Sequence, residues 1–250
     1  MTETTDTAPL RAELEVAAAP KPVQNVLTQM KEHRPALVRL LGSEAAMEKF
    51  ETELVTQLKN APGLLECHPA SIIGGYRLAA QLGLSFGPQG LAYLVPFGGQ
   101  NGKWAQFVIG YRGFVELAFR SGQVKDVTAA LVHDGDEFEY QYGTQPRLVH
   151  KPEGPAGERD IIAAYAVARL KTGGAPFRVI YEEDWEKARM ASQLGARNKG
   201  PWLDHRPAMI LKTAFRRLEP MLPKTAVLAQ AVEADEQPAP DVDDLEVIEA

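Results

Sequence analysis

The sequence has 250 residues, 45% hydrophobic and 24% charged, enough to bury a sizeable core, so global disorder is excluded. Its uncharged apolar runs, such as residues 163–168, fall far short of the roughly 20 residues of a membrane-spanning helix. The start lacks the basic-then-apolar order of a secretory leader, and the lone Cys67 excludes an internal disulfide or a cysteine-based zinc cluster and is expected to pack in a core, so cytoplasmic residence is expected.

The net charge of −6 conceals an uneven distribution. Residues 1–20 hold four acids and one base, and residues 233–250 hold eight acids and no base, which leaves 26 bases and 21 acids between them. A basic body therefore lies between acidic tails. Both tails carry too few apolar side chains to offset the entropy of ordering, so 1–20 and 233–250 are expected to be disordered and 21–232 to form a single domain.

The body opens with helical periodicity over residues 23–41, with a possible break at Pro35, and then Ser43 as the cap of a helix to about residue 60. His68 and Pro69 start a third helix, whose Ile72, Ile73, Tyr76, Ala79 and Ala80 recur at helical spacing up to Gly83. The period then changes. Residues 92–97 (AYLVPF) and 104–109 (WAQFVI) are β-like runs around GGQNGK, which reads as a hairpin tip. A helix over 111–120 is followed by further strands. In one of them Glu137, Glu139 and Gln141 alternate with Phe138, Tyr140 and Tyr142. Residues 161–170 and 177–181 form another pair across TGG, and helices over about 182–194 and 204–221 close the body. Helices, then sheet, then helices indicate the α+β class.

Catalytic constellations are weak. GGQNGK lacks the Walker A pattern, since Trp104 follows Lys103 and a strand comes next, so no nucleotide cofactor is expected. His133, Asp134, Asp136, Glu137 and Glu139 lie together in HDGDEFE. They suit either a divalent metal in a nuclease or, given the glycine turn at Gly135, a solvated strand edge. With no HExxH and no GxSxG, neither a catalytic nor a metal residue is assigned, and the protein reads as a non-enzyme.

The basic body is more informative. Between Lys187 and Lys224 nine Lys or Arg face only Asp204 and Glu219, a patch that suits a polyanion as well as it suits an ordinary wet helix face. On the closing helix Leu211, Ala214, Phe215, Leu218 and Leu222 form an apolar stripe, with Lys212, Arg216 and Arg217 expected on the opposite side. Arg197 and Lys199 lie in a glycine-containing loop just before it. Arg112, Glu116 and Arg120 share a helix face, and Tyr111 and Arg112 follow the strand that begins with Trp104, next to Lys103 at the hairpin tip. These residues combine aromatic and cationic groups as single-strand binding requires. The candidate DNA-binding set is therefore Lys103, Trp104, Tyr111, Arg112, Arg197, Lys199, Lys212, Arg216 and Arg217. The acids of 233–250 would compete with DNA for such a surface, recruit a partner, or simply solubilise the chain.

Five segments, QLGLSFGPQG, AYLVPFG, IGYRGFVELAFRSG, AYAVARLKTGG and NKGPW…KTAFRRL…LP, occur in an order and spacing that resembles the RecT family of phage single-strand annealing recombinases, over about residues 26–230. The resemblance implies a bacteriophage protein acting in the bacterial cytoplasm. It would coat single-stranded DNA without ATP, assemble into rings or helical filaments, and pair complementary strands through a duplex intermediate during homologous recombination. It also implies a companion exonuclease, a host single-strand-binding protein as a further partner, and a curved antiparallel sheet crossed by a helix. One departure stands out: family members usually carry an acid immediately before the position of Met209, where this chain has Pro207 and Ala208. The alternatives are the metal-dependent nuclease and a passive single-strand protector.

Overall fold

The computed structural model describes residues 21–99, 102–223 and 225–236. They divide into two compact units, one ending at Val108 and the other running from Ile109 to Glu236. The expected tails at 1–20 and 237–250 lie outside the described residues. Among the described residues, no helix is long and apolar enough to cross a membrane.

In the first unit α1 (Lys21–Leu41) passes through Pro35 unbroken and buries Val23, Val26, Leu27, Met30 and Leu37. The α2 helix (Glu44–Asn60) begins where Ser43 Oγ accepts the Ala46 N–H at 3.2 Å, satisfying a backbone donor that the first turn leaves without a partner. Its Met47, Phe50, Leu54 and Leu58 face inward at helical spacing. The α3 helix (Pro69–Leu82) ends at Gly83 in the left-handed region, φ 62°, the usual residue for that stop. Gly75 lies within α3 where a Cβ would come 2.4 Å from Leu94 Cδ2, so any larger residue would make the Leu94 side chain of the hairpin shift. That hairpin is β1 (Ala92–Gly99) with β2 (Gly102–Ile109). Phe50, Tyr76, Phe86 and Phe107 form a chain of ring contacts through this core.

The second unit starts with α4 (Tyr111–Arg120). Strands β3 (Val124–His133), β6 (Ile161–Leu170) and β7 (Phe177–Ile180) form an antiparallel sheet in the order β3-β6-β7. Ala130, Tyr165 and Val179 stand side by side in its register. The hairpin of β4 (Glu137–Gln141) and β5 (Arg147–Lys151) sets Phe138 and Leu148 against Val132, Ala163 and Tyr165. On the alternate face of β6, Ala164, Ala166 and Ala168 are fully buried, and α8 (Arg206–Leu218) lies across all three strands. Small side chains at every second position let the helix axis come close. The α+β class holds, with a helix crossing an antiparallel sheet.

Three expectations need correction. Residues 182–194 do not form one helix: α5 (Glu182–Ala191) ends at Ser192, and the short α6 (Gln193–Ala196) follows. Nor does one helix run from 204: α7 (Pro201–Asp204) and α8 each start with a proline in the first turn, where its missing N–H costs nothing. The acidic segment from residue 233 is not a tail at its root, since α9 (Ala226–Glu236) includes Glu233 and Asp235 and buries Leu228 and Ala231.

Candidate nucleic-acid interface

Of the nine residues expected to meet DNA, Lys103 and Trp104 belong to the first unit and the other seven to the second. Trp104 is 6% exposed, with its indole stacked on the His68 ring at 5.4 Å between centroids. The strand beneath is tied to α3: the His68 N–H donates to the Lys103 carbonyl at 2.8 Å, and the Ala105 N–H donates to Ser71 Oγ at 2.9 Å. Trp104 is therefore a packing residue with little ring surface left for a base. Lys103 is exposed but ion-paired with Glu66, whose hydrogen bond and charge raise the ammonium pKa above its ordinary value.

The closing helix also differs from the expected two-sided pattern. Its buried residues are Ile210, Thr213, Ala214, Phe215 and Leu218, an arc rotated from the expected stripe, with Leu211 at its margin. The cations do not share a face. Lys212 and Arg216 lean over the buried Phe114 ring of α4, at 5.7 and 5.4 Å from its centroid, and Phe114 itself stacks on Phe215 at 5.6 Å. Lys212 donates to Asp235 Oδ1 at 2.7 Å, and its side chain is only 12% exposed. Arg217 points elsewhere, exposed, with Asp184 3.9 Å away.

The patch is further neutralised by acids just outside the counted window. Lys187 pairs with Glu183 at 2.8 Å, Arg189 with Glu186 at 2.6 Å, and Arg206 with Glu186 at 3.4 Å. These carboxylates belong to the first turns of α5, where they also complement the positive end of the helix. A count that begins at Lys187 omits all of them.

What remains open is smaller. Arg197 and Lys199 are exposed and, among the described residues, have no ion-pair partner. Their loop is pinned, since Arg189 donates to the Gly195 carbonyl at 2.8 Å, and a Cβ on Gly195 would sit 2.4 Å from the Arg189 carbonyl oxygen. Asn198, at φ 53°, takes the left-handed turn that asparagine tolerates best after glycine. At the start of α4, Tyr111 is half-buried and Arg112 exposed. Of the three charged residues on its shared face only Glu116 and Arg120 pair, at 3.1 Å, so Arg112 is also without an ion-pair partner among the described residues.

The acidic motif has a structural task. The Asp136 carboxylate, 1% exposed, accepts the His133 N–H at 2.9 Å, the Glu153 N–H at 3.0 Å, Arg159 at 2.7 Å and His150 Nε2 at 3.1 Å. These donors, the His133 N–H foremost, hold its pKa far below the usual carboxylate range. Both oxygens are occupied, so none is left to ligate a metal. Glu137 pairs with Lys151 at 2.6 Å across the hairpin. Among the described residues no three His, Cys, Asp or Glu side chains assemble as metal ligands. Strand β5, which supplies His150 to this hub, was not recognisable as a separate element in the sequence, although RLVHK carries a short alternation.

Comparison with known proteins follows the same lines. The model of the RecT family matches residues 48–249, starting later than the five motifs suggested and reaching through the acidic C-terminal stretch. The chain is 38% identical over 206 residues to Protein RecT of Escherichia coli (strain K12), across 80% of this chain and 76% of that protein. It is 29% identical over 192 residues to the uncharacterized protein YqaK of Bacillus subtilis (strain 168), across 71% of this chain and 63% of that one.

Proposed function

The chain belongs to the RecT family, and from that premise we propose that it binds single-stranded DNA and anneals complementary strands in homologous recombination. The family match across most of the chain carries this reading. Annealing needs no fuel: pairing is driven by the bases, while the protein lowers phosphate repulsion and keeps bases within reach of the complementary strand. The glycine-rich hairpin supports an ATP-independent process, because Gly102 opens a strand and Lys103 does not precede a helix as a phosphate-binding loop requires. The protein acts as an oligomeric ring or filament in the cytoplasm, without catalytic residues of its own, beside an exonuclease that exposes the strand and a host single-strand-binding protein.

Contact with phosphates falls first to Arg112, Arg197 and Lys199, which have no ion-pair partner among the described residues. Tyr111 adjoins Arg112 in sequence, Arg216 and Arg217 lie on the helix that follows the loop, and Lys103 is a further exposed cation. Mixing labelled complementary oligonucleotides with the protein, in chelator and without nucleotide, accelerates duplex formation on this reading. An absolute ATP requirement would overturn it. So would slower pairing, which marks a passive protector, or shortening of the strands on adding magnesium, which marks a nuclease.

A further inference from the structure

The C-terminal helix α9 places one carboxylate at an unusual position. Asp235 Oδ1 accepts two hydrogen bonds, from Lys212 Nζ at 2.7 Å and from the Ile109 N–H at 3.0 Å. The second donor lies 126 residues away in sequence, at the junction where β2 ends and α4 begins. The Asp235 side chain is 9% exposed and that of Lys212 12%. An ammonium, a backbone N–H and a guanidinium over the same Phe114 ring are the donors that a phosphate oxygen accepts from in nucleic-acid complexes. Here the first two hold the chain's own anion.

We propose that Lys212 and the Ile109 N–H form a phosphate subsite for single-stranded DNA, and that Asp235 holds it closed as an autoinhibitory latch. This rests on the annealing reading and adds a regulated contact to it. The latch is suited to exchange. Helix α9 is docked by few buried side chains, chiefly Leu228 and Ala231, so undocking it exposes little apolar surface. The chain beyond it carries Asp241, Asp243, Asp244, Glu246 and Glu249, so the latch is continuous with a segment that DNA phosphates repel. A strand engaging Arg112, close in sequence to Ile109, brings phosphates that compete for Lys212 directly. Each DNA strand bound therefore displaces Asp235, and free protein is kept from binding polyanions indiscriminately.

The test uses the full chain and a fluorescent oligothymidylate at low salt. Asp235→Asn keeps an acceptor for the Ile109 N–H and removes the charge. It tightens binding about three- to tenfold, the scale of one added charge-assisted contact, and the gain disappears in Asp235→Asn/Lys212→Gln. Unchanged or weaker binding by Asp235→Asn, with wild type binding normally, overturns the latch and leaves the annealing reading standing. If neither protein binds, the annealing reading falls and the latch with it. A second measurement needs no variant: hydrogen exchange over residues 226–236 in the wild-type protein rises when the oligonucleotide is added. Unchanged or slower exchange on binding overturns the latch.

Discussion

Helix α8 and the loop before it are both basic, yet their charges are spent differently. On α8, Lys212 is neutralised by Asp235 and Arg217 stands near Asp184, while the loop leaves Arg197 and Lys199 exposed without an ion-pair partner among the described residues. The helix carries its cations where neighbouring helices supply carboxylates, and the loop carries its own beyond their reach. Charge counted along a sequence is therefore not charge offered to a ligand. A partner reads what remains after internal pairing.

The comparison can be broken most severely at the packed side of α8. Leu218 is fully buried, so Leu218→Ala lowers unfolding free energy by roughly 2–5 kcal/mol, measured by denaturant titration without DNA. Next comes Lys212→Ala, which leaves Asp235 without its cation and costs about 1 kcal/mol, because α9 can undock and return the carboxylate to water. The loss appears as early melting, and a melting point equal to wild type would show that the pair is not structural.

Arg197→Ala/Lys199→Ala sharpens the contrast in the opposite direction. Folding is unchanged, single-strand affinity falls, and the salt slope on a log–log plot shrinks by about 1.4, twice the single-strand increment for one phosphate. Titration at several salt concentrations checks this, and a slope equal to wild type would remove the loop from the interface. The smallest effect belongs to Arg217→Ala. Its side chain is 55% exposed and 3.9 Å from its carboxylate, so stability changes by less than about 0.5 kcal/mol and any deficit appears in DNA binding alone.

Local features were legible wherever the governing interaction lies within a few residues. The Ser43 cap, the Gly83 stop, the bounds of α4 and the pairing of β6 with β7 across TGG all follow from capping, turn chemistry and period. In contrast, β5 and α9 escaped. The first is five residues long and the second is rich in alanine and acids, so neither carries a strong apolar period. Trp104 is a related case: an aromatic at a strand start has the same local pattern whether a base or His68 covers it.

By itself the sequence determined the class of fold, most element boundaries and the family, because capping, periodicity and ordered motifs are properties of neighbours along the chain. Only the tertiary structure decided which cations are open. Lys212 meets a carboxylate 23 residues away, and Asp136 draws donors from as far as Arg159. Electrostatic pairing depends on separation in space, falling with distance and strengthening where water is excluded, and no window of sequence encodes that separation.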